Sequence, residues 1–392
     1  MSSFIRQRGT THTAYWHTID PATGNRVQHS KGGFRIKKDA QDHLNEVMGK
    51  VQNGTFQKDT KITVRELLVD HWLPTKRTED LSAATIQHYE ETIDHWILRD
   101  DIGLSGIRAQ SITPKQVTDW RDALAKTTTS GGRAGLSQRT ISASVGVLKS
   151  AYKWGAINGV IPRDPIANVG RGKMNMAIKA NKAWGEDEVR TFLKFTADDR
   201  RLHPIWQLAI ASGMRREELC GLKWEDVDFD RGTVRIERTR TVVGGQPHDS
   251  DLPKTKKSRR TLSLGPVMPQ LRSLQTLQKE DKLKAGGAYV DEGWLFANEV
   301  GTAFYPGMMS TWFSQAVKGC RADLEDDAAL RTISFHGCRH TCATLMLKAG
   351  QPVHVVSRFL GHATVQITLD YYAHVLPGQD ESAVVALVAM YS

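Results

Sequence analysis

Five short runs in the C-terminal half carry side chains whose types and spacing could do chemistry. Ser212-Gly213-Met214-Arg215-Arg216-Glu217-Glu218-Leu219 closes an apolar helix. The glycine breaks that helix, so Arg215 stands near the start of the next one, where backbone N–H groups favour an anion. Glu218, three residues on, shares its face and can orient the guanidinium, although such a pair alone is more often a plain structural salt bridge. Pro253-Lys254-Thr255-Lys256-Lys257-Ser258-Arg259-Arg260 reads as a basic turn between two strand-like runs, suited to a DNA backbone or merely to solvent. His336-Gly337-Cys338-Arg339-His340-Thr341 places His336 and Arg339 on one helical face. Leu360-Gly361-His362 follows, and then Leu369-Asp370-Tyr371-Tyr372-Ala373-His374-Val375. A metal reading is open at the two imidazoles of His336 and His340, with His362 as a third ligand. It is weakened by the missing Glu of H-E-x-x-H and by Arg339, which would repel a cation.

In this order, the runs G-x-R-x-x-E-L, K-T-x-x-x-R-R, H-x-x-R-H-T, L-G-H and Y-x-H resemble the tyrosine recombinase family of phage integrases and bacterial resolvases of chromosome dimers, over residues 184–376. The resemblance implies a site-specific DNA recombinase that cleaves and rejoins strands through a 3′-phosphotyrosine, integrating or excising a mobile element. By the family pattern, Arg215 and Arg339 hold the non-bridging oxygens of the scissile phosphate, for which planar forked donors suit better than Lys. Lys254 becomes the general acid at the departing 5′ oxygen, with Lys256 and Lys257 as competitors. His336 takes or shares the tyrosine proton, His362 hydrogen-bonds the phosphate, and Glu218 supports Arg215. Tyr372 is the nucleophile, favoured over Tyr371 because it lies two residues before His374. The chain departs from the pattern at Cys338, where leucine is usual, and at Ser212, where threonine is usual. No metal or other cofactor is implied. The expected partners are double-stranded DNA attachment sites, a homotetramer on synapsed DNA, and an accessory DNA-bending or directionality protein. A DNA-binding regulator without chemistry and a type IB topoisomerase-like nicking-closing enzyme are the rival readings.

The elements that must position these groups read as mainly α with small β. Residues 1–58 read as a small basic module, with strands at Thr13–Ile19, Arg26–Ser30 and Phe34–Ile36 and then a helix from Lys38 to Val51, and the resemblance implies that it is an arm-type DNA-binding domain. Arg26, Arg35 and Lys37 are its candidate DNA contacts. Residues 62–168 read as all-helical, with Thr63, Ser82 and Thr113-Pro114 as start signals, and the resemblance makes this segment a core-binding domain. Its long helix from Ser137 carries an apolar stripe of Ile141, Val145, Leu148 and Tyr152, with Arg139 and Lys149 as candidate phosphate contacts on its other faces. Residues 169–183, basic and poor in apolar periodicity, read as a linker. Residues 184–392 read as α-rich with a small sheet at Thr233–Arg238 and Arg260–Leu264, and the resemblance implies that they are the catalytic domain. The tail Gly378–Ser392 has no Lys or Arg; the resemblance implies that it packs on a neighbouring protomer, and a helix docked on its own domain is the equal alternative.

The bulk properties agree. The 392 residues suit two or three domains, and 53 Lys+Arg against 43 Asp+Glu leave a net +10, which favours a polyanionic partner. Four scattered cysteines argue against a disulfide scaffold and for a reducing compartment. The N-terminal stretch lacks an apolar signal region, so a cytoplasmic location is expected.

Overall fold

A computed structural model describes residues 3–19, 24–53, 61–127, 135–170, 183–250, 259–324, 329–372 and 388, with Tyr371 described by its backbone alone. The chain divides into two compact units, residues 1–81 with 88–175, and residues 82–87 with 176–392.

The first unit opens with an antiparallel sheet, β1 (Phe4–Arg8), β2 (Thr11–Ile19) and β3 (Arg26–Phe34), followed by helix α1 (Lys37–Gln52). Alternation in β2 turns Ala14 and Trp16 inward, and α1 supplies Leu44 and Val47 to the same small core. The expected third strand at Phe34–Ile36 is not separate. Gly32 and Gly33 form a bulge inside one continuous strand, because the register slips between His12↔Phe34 and Ala14↔Lys31. The strand that completes the sheet is Phe4–Arg8, whose alternation is masked by two arginines and a glutamine.

Helices α2 (Val64–Glu66), α3 (Leu73–Thr78), α4 (Ala83–Thr92), α5 (Pro114–Leu124) and α6 (Gln138–Ile157) follow, with wider π-type turns at Leu67–Trp72 and Ile93–Ile97. Their starts are chemically fixed. The Thr63 hydroxyl accepts from the Glu66 amide while the Glu66 carboxylate accepts from Thr63, and Thr113 with Gln116 repeats the device behind Pro114. Ile141, Val145, Leu148 and Tyr152 of α6 are all buried in a core shared with Leu67, Trp72 and Trp120.

The second unit contains α7 (Glu186–Phe195), α8 (His203–Ser212), α9 (Arg216–Cys220), β4 (Val227–Asp228), β5 (Thr233–Ile236), β6 (Thr239–Val243), β7 (Gln246–Ser250) and β8 (Arg260–Ser263). It closes with α10 (Met268–Ala285), α11 (Pro306–Ala322), α12 (Phe335–Lys348), α13 (Val353–Leu360) and α14 (Val365–Tyr372). Strands β4, β5 and β8 make one sheet, and β6 with β7 makes a separate hairpin between β5 and β8. Its core gathers Trp184, Phe192, Trp206, Phe313 and Phe335, several of them in edge-to-face contacts. Among the described residues no helix is long and apolar enough to cross a membrane.

Candidate active site

The apolar helix α8 stops at Gly213, which takes the left-handed backbone (φ 57°, ψ 22°). A Cβ there would also sit 2.5 Å from Leu360 Cδ2 and 3.2 Å from Cys342 Sγ, so α13 and α12 crowd against this turn and only glycine fits. The turn delivers Arg215 to the N-cap position of α9. Its amide donates to Glu218 Oε2 (2.9 Å), its Nη1 to Oε1 (2.9 Å) and its Nη2 to the Gly361 carbonyl (3.4 Å). The Arg215 side chain remains 39% exposed, whereas that of Glu218 is only 3% exposed. The carboxylate is held on its other side by Arg260, the first residue of β8. Burial pushes the Glu218 carboxyl up, but the hydrogen bonds and charge of Arg260, then of Arg215, outweigh it and leave it below the usual range.

Arg339 arrives from α12 and is 3% exposed. Its Nη1 donates to the Gly213 carbonyl (2.8 Å), and its buried Nη2 has no hydrogen-bond partner among the described residues. Burial, followed by the nearby positive charge of Arg215, lowers its pKa to about 10. A buried donor of a charged group is costly to leave unpaired, so this nitrogen calls for an anion. His362, just after Gly361, gives Nδ1 to a 2.8 Å hydrogen bond with the fully buried Thr368 hydroxyl. Burial, then Arg339, Arg215 and Arg260, pull its pKa down to about 4, so the ring is neutral at pH 7.

Tyr372 ends the described part of α14 and is 4% exposed. Its hydroxyl lies 2.7 Å from His340 Nδ1. His340 is the neighbour of Arg339 on α12, so the phenol is held one residue from the position that carries this guanidinium. The imidazole expected at the phenol was that of His336. His336 is instead exposed, and its ring meets that of His340 edge-on at 5.1 Å. On α12, His340 lies one turn beyond His336 and next to Arg339, and it is the His340 ring that reaches Tyr372 of α14.

Thus the structure brings Arg215, Glu218, Arg339, His362 and Tyr372 together in the second unit. Lys254 lies outside the described residues, as do His374 and nearly all of the tail. Arg26, Arg35, Lys37 and Arg139 are exposed, and Arg139 lines a cleft of about 440 Å³ with His88, Tyr89 and Ser142. Lys149 differs. Its ammonium donates to the carbonyls of Ala167 (2.8 Å) and Val169 (2.5 Å), so it ties the end of the helical segment to α6 rather than standing ready for a phosphate. The rival metal set does not gather: among the described residues no three His, Cys, Asp or Glu side chains are grouped as a metal would need. Two contributors had no role in the recombinase reading of the sequence, His340 and Arg260. Both stood inside the H-x-x-R-H-T and K-T-x-x-x-R-R runs, but which side chain turns inward depends on packing.

Residues 183–378 match the phage integrase family, and residues 4–51 match an arm DNA-binding domain. The chain is 27% identical over 372 residues to a tyrosine recombinase XerC-like protein of Caldanaerobacter subterraneus, covering 90% of each. It is 23% identical to the ICEBs1 integrase of Bacillus subtilis, covering 93% of this chain and 92% of that one. The structure resembles the Tn1549 transposon integrase in complex with transposon right end DNA, with a TM-score of 0.66, 19% identity, and coverage of 84% of this chain and 100% of that one. It also resembles a lambda integrase tetramer bound to a Holliday junction, with a TM-score of 0.56, 17% identity, and coverage of 96% and 94%.

Proposed function

This chain belongs to the phage integrase family and is a tyrosine-type site-specific DNA recombinase, and we propose that Tyr372 is its nucleophile, working against a phosphate held by Arg215 and Arg339. The observation that carries this reading is the buried Nη2 of Arg339, without a partner among the described residues, on the helix whose next residue, His340, holds the Tyr372 hydroxyl. A non-bridging oxygen of a DNA phosphate satisfies that donor, and Arg215, half-exposed beside it, takes another.

The step balances simply. The Tyr372 oxygen forms a bond to phosphorus, the bond from phosphorus to the 5′ oxygen breaks, and a 3′-phosphotyrosine and a free 5′ hydroxyl result. The phenolic proton passes to His340 Nδ1, already at hydrogen-bond distance, with His336 behind it as a second imidazole. Charge growing on the equatorial oxygens is met by guanidiniums fixed before the reaction starts, so little reorganisation is needed. His362, neutral and pinned by Thr368, can offer the phosphate a hydrogen bond without adding charge. Lys254 is the expected donor of the proton to the leaving 5′ oxygen. Because the phosphotyrosine conserves the phosphodiester, rejoining to another strand requires no nucleotide hydrolysis, and the sum is integration or excision of a mobile element.

The exposed cations of the three-stranded module and of α6 bind the flanking DNA, chiefly through phosphates. The recombinase acts as a homotetramer on two synapsed sites, a reading supported by the tetrameric state named for its lambda neighbour. The test is trapping on a nicked half-site. The parent and Tyr371→Phe should accumulate covalent protein–DNA adduct, and Tyr372→Phe should form none while still retarding the DNA. Adduct lost with Tyr371→Phe and kept with Tyr372→Phe would sink the assignment.

A further inference from the structure

Glu218 is shared by two arginines on unequal terms. Arg260 offers both terminal nitrogens, Nη1 to Oε1 at 3.1 Å and Nη2 to Oε2 at 3.0 Å, while its Nε donates to the Phe359 carbonyl at 2.8 Å. Both side chains of that pair are buried, at 8% and 3% exposure. Arg215 meets the same carboxylate through one guanidinium nitrogen and stays 39% exposed.

An isolated Arg215–Glu218 pair would be neutral. The acid that orients the guanidinium would then cancel the charge that an anion needs, and would do so strongly in a poorly solvated site. A second guanidinium removes the conflict. Two arginines on one carboxylate leave a net positive charge, and with Arg260 enclosed, that surplus resides on Arg215. Arg260 also ties the end of α13 to Glu218. Its Nε holds Phe359, and a Cβ on Gly361 would sit 2.9 Å from its Nη1, so the segment leading into His362 is packed directly on this side chain.

We propose that Arg260 is a positioning residue of the recombination site: it neutralises Glu218 so that Arg215 keeps its full charge for the scissile phosphate, and it anchors the Phe359–Gly361 turn that presents His362. This rests on the reading that Arg215 holds that phosphate.

The experiment uses the full-length chain and two nicked half-sites, one with an ordinary scissile phosphate and one with a methylphosphonate, whose methyl group replaces a charged oxygen. Arg260→Gln should slow adduct formation about 10²-fold on the phosphate. The ratio of methylphosphonate to phosphate rates should rise about tenfold or more over the parent, because the lost charge matters less when the substrate is neutral. That ratio does not depend on how much of a preparation is folded, so a merely structural defect leaves it unchanged. Adding Glu218→Gln to Arg260→Gln should recover about tenfold on the phosphate, since the uncompensated carboxylate is gone. A ratio equal to that of the parent, or a double variant no faster than Arg260→Gln, overturns the proposal. Arg215→Gln is run alongside; if it cleaves the phosphate as fast as the parent, the reading of Arg215 fails, and the inference built on it fails too.

Discussion

The cations of the second unit and those of the three-stranded module carry the same charge under opposite physical conditions. Arg339 is 3% exposed, donates to a backbone carbonyl, and keeps one nitrogen unpaired among the described residues. Arg26 is exposed on β3, Arg35 in the bend after it, and Lys37 at the start of α1. The buried guanidinium has given up its water, so its geometry is set and its attraction for an anion is weakly screened. The solvated ones remain adaptable and salt-sensitive. Rate should therefore reside in the first group and grip in the second.

The sharpest way to break this contrast is Arg339→Ala. Adduct formation should fall on the order of 10²–10³-fold, while the dissociation constant for the same half-site barely moves. A parallel loss of affinity would place Arg339 among ordinary backbone contacts. Next in size is the histidine pair. His340→Gln should slow Tyr372 attack about 10²-fold, and His336→Gln less, as read by single-turnover trapping. The reverse order would show that the 2.7 Å contact with the phenol belongs only to the resting enzyme.

On the other side of the comparison, combining Arg26→Ala, Arg35→Ala and Lys37→Ala should leave half-site cleavage intact. Binding of flanking DNA should weaken, and the slope of log affinity against log salt should drop by about 3, near 0.9 per lost phosphate contact. Lys149→Met and Arg139→Ala then divide one helix. The first should lower the melting temperature of the helical unit with little change in salt slope, because Lys149 is engaged by two carbonyls. The second should change the salt slope with little change in melting.

The smallest effect is one of pH. Folding holds His362 at about 4, while in the unfolded chain it takes its proton near its ordinary 6.5. Acidification therefore favours the unfolded chain, starting near pH 6.5 and ending near pH 4, and stability is full above that window. Thermal melts should show the parent losing stability across it more steeply than His362→Gln. Equal slopes would mean that the ring is solvated.

Much of this was legible in the residues themselves. Capping signals at Thr63 and Thr113, the stripe Ile141-Val145-Leu148-Tyr152, and the break at Gly213 are local, because hydrogen bonding and side-chain period act over a few residues. Local chemistry misled where pairing intervened: Gly32-Gly33 reads as a stop, yet β2 accepts it as a bulge. The same limit hid Phe4–Arg8, which is a strand only because β2 lies beside it.

The order of arginine, lysine, histidine and tyrosine along the chain determined the kind of chemistry and the family, since those types in that spacing suit a phosphate. Tertiary structure decided the rest. It chose His340 over His336 at the phenol, enlisted Arg260 from a strand 42 residues beyond Glu218, and turned Lys149 inward to carbonyls. Such choices depend on which face of a helix or strand meets its neighbour, and no spacing along one chain specifies a contact made between distant ones.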